Sequence, residues 1–189
     1  MIDDLLLIQR VLSGDQAAYA ELVQAHQARI LRLCTSLLGN PTLAEDASQE
    51  IFLKAYQRLP TFRGQSAFST WLYRIASNHC LDLLRKRQRE RTESWEALVE
   101  SSGEQLHELL AAPRDPKTVV ANTELVQRAL ATLSPDYRLI LTLREVEGLS
   151  YQELAEALHC SLDAVKARLR RARRELLERL RHFSGSGVV

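Results

Sequence analysis

The sequence predicts an all-α fold of two small helical domains joined by an acidic, flexible linker, and three observations carry that prediction. Glycine and proline are scarce, at 7 and 5 in 189 residues, while Leu, Ala, Arg, Glu and Gln are abundant, a balance that favours helices over sandwiches or barrels. Apolar residues recur at helical spacing in both halves of the chain. Finally, a net charge of +1 hides a division: residues 1–91 carry 12 basic and 9 acidic side chains, residues 92–122 carry 2 and 6, and residues 123–189 carry 11 and 9. No run approaches the ~18 apolar residues of a membrane span. Met1-Ile2-Asp3-Asp4 opens with acids where a secretory leader is basic, so a soluble cytoplasmic protein is expected.

The helix punctuation can be followed in order. Ser13-Gly14-Asp15 ends a first helix and caps a second, on which Tyr19, Leu22 and Val23 repeat at helical spacing. Gly39-Asn40-Pro41 stops that helix. Thr42-Leu43-Ala44-Glu45 reads as a capping box opening a third helix that runs to about Leu59 and halts at Pro60. After a loop at Thr61 to Gln65, a long helix is predicted from about Ser66 into the basic cluster Arg85, Lys86, Arg87, Arg89 and Arg91. Residues 92–122 read as a linker: Glu93, Glu96, Glu100, Glu104 and Glu108 precede any base, and Ser101-Ser102-Gly103 and Pro113 to Pro116 interrupt helix formation.

The second domain spans 123–183, with 184–189 as a short flexible tail. Ser134-Pro135 is an N-cap with proline at the first helical position, and Gly148 ends that helix. Ser150-Tyr151-Gln152-Glu153 is a second capping box, opening a short helix with Leu154, Ala155 and Leu158. The turn His159-Cys160-Ser161 follows. Ser161 then caps a helix whose Val165, Leu169, Ala172 and Leu176 are spaced 4, 3 and 4 apart. A short helix, a three-residue turn and a second helix with an apolar inner stripe make a helix-turn-helix.

The chemistry on offer is nucleic-acid recognition. From Lys166 to Arg181 there are eight Lys or Arg against two Glu. With the apolar stripe turned inward, Lys166, Arg170 and Arg173 share one neighbouring face and Ala167, Arg171 and Arg174 another. Such residues at the start of a recognition helix reach base edges in the major groove, and those further along meet phosphates. In the first domain Phe62, Phe68, Trp71 and Tyr73 fall close to Arg63 and Arg74. Aromatic faces beside cations suit unpaired bases, although Phe68 and Trp71 read equally well as core anchors. Asn78 lies further along the same helix and both donates and accepts. Glu45, Asp46 and Glu50 form an acidic, protein-docking helix face. No nucleophile-base pair, Gly-rich phosphate cradle or metal motif is readable, so no enzyme, cofactor or metal is expected. Cys34, Cys80 and Cys160 are odd in number, lack C-x-x-C spacing and read as small core residues.

Two blocks carry a resemblance. Asp46-Ala47-Ser48-Gln49-Glu50-Ile51-Phe52-Leu53-Lys54-Ala55-Tyr56, then Phe62-Arg63-Gly64 and Phe68 through Asn78, resemble region 2 of bacterial extracytoplasmic-function (ECF) sigma factors, group IV of the sigma-70 family. Leu143 to Ala155 and Lys166 to Arg173 resemble region 4. The resemblance implies that 1–91 docks on the clamp of core RNA polymerase, its beta and beta-prime subunits, through Asp46, Gln49, Glu50 and Phe52. It implies capture of a flipped base of the −10 promoter element by Phe62, Arg63, Ser66, Phe68, Trp71, Arg74 and Asn78. It implies −35 readout by Ser161, Lys166, Ala167, Arg170, Arg171, Arg173 and Arg174. The acidic linker would thread the polymerase's RNA path as a nucleic-acid mimic, and an anti-sigma factor, often membrane-anchored, would hold the protein inactive. The chain departs from the family in the helix-turn-helix turn, where glycine is common and His159-Cys160 stands here. The alternative reading is a stand-alone helix-turn-helix regulator.

Overall fold

The computed structural model describes the backbone of residues 3–99, 126 and 128–185 and the side chains of 3–89, 126 and 128–183. Its helices are α1 (Asp4–Leu12), α2 (Gln16–Leu38), α3 (Pro41–Arg58) followed by a 3-10 turn (Leu59–Thr61), α4 (Phe68–Val99), α5 (Pro135–Leu141) widening into a π-type turn (Thr142–Val146), α6 (Tyr151–Ala157) and α7 (Leu162–Gly185). Among the described residues there is no strand. No helix among them is long and apolar enough to cross a membrane.

Local chemistry explains most boundaries. Asp15 caps α2 by accepting from the Ala17 and Ala18 amides, and the Arg10 guanidinium holds its carboxyl below the usual range. Gly39 ends α2 at φ 65°, a left-handed conformation that suits glycine. The start of α3 differs from the sequence expectation. Asn40, not Thr42, is the cap, its Oδ1 accepting from the Leu43 amide at 2.9 Å, because Pro41 at the first position already sets a helical φ. Helix α4 begins at Phe68, two residues after the predicted start, and runs to Val99, eight residues beyond Arg91. The segment expected to be linker thus opens as helix. Glu100, Glu104, Glu108 and the rest of 100–125 lie outside the described residues, as do 186–189.

Helix α2 is the axis of the first bundle. Its Leu22, Ile30, Leu33 and Leu37 are fully buried, as are Ile51 of α3 and Leu72 of α4, the helices that pack on it. Each such burial contributes roughly 1.5–3 kcal/mol. In the second bundle Leu139, Ile140, Leu143, Leu154, Val165 and Leu169 do the same. The two bundles share one continuous apolar core, with α6 lying on α4 and α5 on α2.

Candidate nucleic-acid and protein-docking interface

The helix-turn-helix assembles from its caps. Ser150 Oγ accepts from the Glu153 amide at 3.2 Å, while a Glu153 carboxylate oxygen accepts from the Ser150 amide at 2.7 Å, so both halves of the capping box are present. Those hydrogen bonds pull the Glu153 carboxyl below its ordinary pKa. Ser161 Oγ accepts from the Ala164 amide, capping α7. Its oxygen caps the helix, while its O–H is still able to donate. His159 takes the turn's left-handed position at φ 51°, where the resemblance led one to look for glycine. Histidine is among the few side chains enriched there.

Val165, Leu169 and Ala172 of α7 are buried and Leu176 packs beside them, which turns the cations outward. Lys166, Arg170, Arg171, Arg173 and Arg174 are all exposed, with Ala167 half-buried between them. Lys166 has only a loose i,i+3 contact with Asp163, at 3.4 Å. Arg171 Nε donates to the Ala167 carbonyl, and Arg174 approaches Glu178 at 4.0 Å. Arg173 is different. Its Nη2 and Nε donate to Glu145 Oε1 at 2.7 and 3.1 Å, drawing it back toward the turn after α5.

The aromatic patch forms as a triad. Phe62 meets Phe68 at 5.8 Å and Trp71 at 5.4 Å between ring centroids, and Phe68 meets Trp71 at 5.6 Å. The readings of Phe68 and Trp71 as direct base contacts need correcting. At 2% and 6% exposure both are core residues, Phe68 being sandwiched by the His26 ring at 5.3 Å. Half-buried Phe62 is the ring left with a face toward solvent, flanked by exposed Arg63, Gly64 and Gln65 and half-buried Ser66. Gly64 at φ 68° gives that loop its bend. Asn78 is exposed on α4 and Arg74 partly so. Tyr73 points away from the triad, donating to Glu147.

On α3 the residues Asp46, Gln49 and Glu50 are exposed in one stripe, but Phe52 is not. It is 8% exposed and belongs to the core, so its expected part in direct docking is corrected. Leu53, which sequence reasoning passed over, continues the stripe at 58% exposure. The signal was its i+3 spacing from Glu50. Glu50 is anchored from below: its Oε2 lies 3.7 Å from Lys54 Nζ and 3.6 Å from His79 Nε2. Lys54 Nζ sits 2.6 Å from His79 Nδ1. Burial first, then the Lys54 charge, lowers the His79 pKa, so the neutral ring accepts from the ammonium at Nδ1.

Comparison with known proteins agrees with this geometry. Residues 22–90 match the Sigma-70 region 2 family and residues 123–176 the Sigma-70, region 4 family. The ECF RNA polymerase sigma-E factor of Escherichia coli (strain K12) is 36% identical over 175 residues, covering 91% of each chain. The RNA polymerase sigma-H factor of Pseudomonas aeruginosa is 37% identical over 173 residues, covering 90% of each. The chain belongs to the extracytoplasmic-function sigma factors. It is an RNA polymerase specificity subunit that initiates transcription at promoters, and the pairing of regions 2 and 4 sets aside a free-standing helix-turn-helix regulator.

Solved structures share the fold. The sigma factor RpoE from Bartonella quintana, in complex with the anti-sigma factor NepR, superposes with a TM-score of 0.65 at 26% identity, covering 86% of this chain and 96% of that one. CnrH, in complex with the cytosolic domain of CnrY, gives 0.67 at 27% identity, covering 93% and 95%.

Proposed function

We propose that this sigma factor divides its work between its two bundles. The first, within 1–91, docks on core polymerase through the α3 stripe Asp46, Gln49, Glu50 and Leu53 and presents Phe62, Arg63, Ser66, Arg74 and Asn78 to the unpaired −10 strand. The second, within 123–183, reads the −35 duplex with Lys166, Ala167, Arg170 and Arg171, while Arg173 and Arg174 meet phosphates. The observation that carries the reading is the exposed Lys166-Arg170-Arg171 surface on the first turns of α7, directly behind a doubly capped helix and turn. Phe68 and Trp71 support Phe62 from within.

An anti-sigma factor is the proposed inhibitor, membrane-anchored in the form the family resemblance implies. Support comes from the similar solved sigma factor RpoE, which is bound to the anti-sigma factor NepR. The cytoplasm, where core polymerase and promoter DNA meet, is the proposed site of action. The chain itself supplies specificity rather than a catalytic group.

Run-off transcription from a genomic promoter library, with core polymerase and with or without the protein, tests the division. New start sites dependent on both components, sharing −10 and −35 sequences, are expected. Lys166→Ala or Arg170→Ala then relaxes preference at one −35 position, a bidentate base contact being worth about 1–3 kcal/mol of discrimination. Uniform weakening across all promoters by every α7 variant would overturn the base-reading assignment.

A further inference from the structure

Helix α1 belongs to neither the docking stripe nor the aromatic triad, yet its first turn reaches the triad's loop by two routes. Leu7 and Ile8 are buried and fix α1 on α2 and on the 3-10 turn that precedes the loop. Asp3 caps the helix, its side chain accepting from the Leu5 amide at 3.1 Å. The first route starts at Asp4. His26 Nε2 lies 3.1 Å from both Asp4 carboxylate oxygens, and because a carboxylate only accepts, the ring nitrogen is the donor. The His26 side chain is 9% exposed and that of Asp4 27%, so the contact sits at the rim of the bundle. The His26 ring then meets Phe68 at 5.3 Å with 71° between the planes, and Phe68 meets Phe62 at 5.8 Å. The second route is Leu5. Its Cδ2 lies 3.7 Å from the point a Cβ would occupy on Gly64, the residue whose left-handed φ bends the loop. The same point on Gly14, Gly39 and Gly148 has no neighbour within 4 Å. Leu5 itself is 52% exposed and adds little to the core.

We propose that the first turn of α1 is a positioning element for −10 base capture, in which Asp4 and His26 hold the aromatic triad and Leu5 backs the loop at Gly64. Stacking a base on Phe62 requires that ring to be in place beforehand, because groups ordered before binding lower the ordering cost of binding. Phe62 cannot supply that order alone. It stands between the 3-10 turn and α4, outside both, and is only half-buried. Its place is set by the rings it leans on, and Phe68 is one of them. A hydrogen bond is directional where ring packing is not, so the Asp4 carboxylate fixes the rotation of the His26 ring that Phe68 meets. On the other side of the loop, Gly64 has no side chain with which to pack, and Leu5 provides the apolar surface in its stead. Asp4, Leu5 and His26 are thus positioning residues that act through Phe62 and Gly64 without meeting DNA. The effect on capture rests on the assignment of Phe62 to the unpaired −10 strand, whereas the coupling of α1 to Phe62 does not.

Two measurements on the full chain test this. In the first, 4-fluorophenylalanine replaces Phe62 and its fluorine resonance is followed in the free protein. One narrow resonance is expected, broadened or shifted by D4A and by L5A, and retained in D4N, whose amide oxygen still accepts from His26. A resonance that neither D4A nor L5A moves overturns the coupling. In the second, holoenzyme formed with core polymerase binds a fluorescent single strand carrying the −10 sequence of a promoter returned by run-off transcription, and the same strand made abasic at one position at a time. The intact strand should be preferred about tenfold over the strand abasic at the captured base, the lower end of what stacking on one aromatic supplies, and F62A should bring that ratio near one. D4A, L5A and H26F, the last keeping a ring but losing the donor, should each lower the ratio at least threefold with circular dichroism unchanged, while D4N keeps it. Equal weakening of intact and abasic strands by D4A and L5A is what a merely structural role gives, and overturns the positioning role. So do ratios unchanged in D4A and L5A alongside one lost in F62A. A ratio unchanged in F62A overturns the capture assignment instead, and the fluorine result then stands by itself.

Discussion

Arg173 of the recognition helix and Glu145 of the turn after α5 form an ion pair at 2.7 Å, which withdraws one cation from the surface offered to DNA. Both side chains are about half exposed, so the pair is worth little to stability. Its larger effect is on where the guanidinium points. Glu145→Gln should free Arg173 for phosphate. Affinity of the full chain for −35 duplex should increase about two- to fivefold, and the slope of log affinity against log salt should steepen by about one. Fluorescence anisotropy across a sodium chloride series measures both. An unchanged slope would place Arg173 away from the DNA backbone.

Phe62 and Trp71 touch, yet substituting them should have opposite consequences. Trp71→Ala removes a buried ring and should destabilise the first bundle by about 3–5 kcal/mol in denaturant unfolding. Phe62→Ala removes a half-buried one. Its stability should fall by about 1–2 kcal/mol, while promoter melting by the holoenzyme, read by permanganate reactivity of unpaired thymines, should drop at least tenfold. Full melting by the Phe62 variant would remove that ring from the −10 contact.

His79 makes the first bundle sensitive to mild acid. Burial and Lys54 lower its folded pKa below the ordinary 6.5, with Glu50 and Asp82 opposing. The unfolded state thus binds more protons than the folded state as pH falls through about 6.5, so stability is lost on acidification and regained toward neutrality. Melting temperature should decrease between pH 7.5 and 5.5, and His79→Gln should flatten that part of the profile. Because His79 underlies Glu50, the same acid shift should weaken core-polymerase binding.

What the sequence made legible was local. The Ser150-Glu153 capping box, the Ser134-Pro135 start, Gly39 and the inward stripe of α7 each depend on residues within a few positions, and each is found as read. Thr42 misled because two caps compete within three residues and the proline at position 41 decides for Asn40. Phe52 misled for another reason, one that also left Phe68 and Trp71 open between core anchor and base contact. An aromatic at helical spacing looks alike whether it packs or projects, and only the rings of His26 and Phe62 settle Phe68 as core. Arg32 Nε donates to Glu147 Oε1 across 115 positions, and no local pattern announces it.

The cysteines give the last prediction. Cys34 on α2 and Cys80 on α4 are distant in sequence but adjacent in space, with Sγ atoms 3.7 Å apart in the buried core. The hydrogen bond to Cys34 and burial push the Cys80 thiol far above its usual pKa. A thiol must ionise to react, and reagent must also reach it. Cys160, half-buried in the helix-turn-helix turn, is the thiol a reagent can reach. An aromatic disulfide reagent at pH 8 should therefore modify one thiol rapidly in the native protein, and mass spectrometry should place it at Cys160. The other two should react only at the rate of unfolding, and Trp71→Ala should accelerate them by loosening the helix that carries Cys80. Rapid modification of all three in the native state would show that the α2–α4 seam opens far more readily than its packing implies.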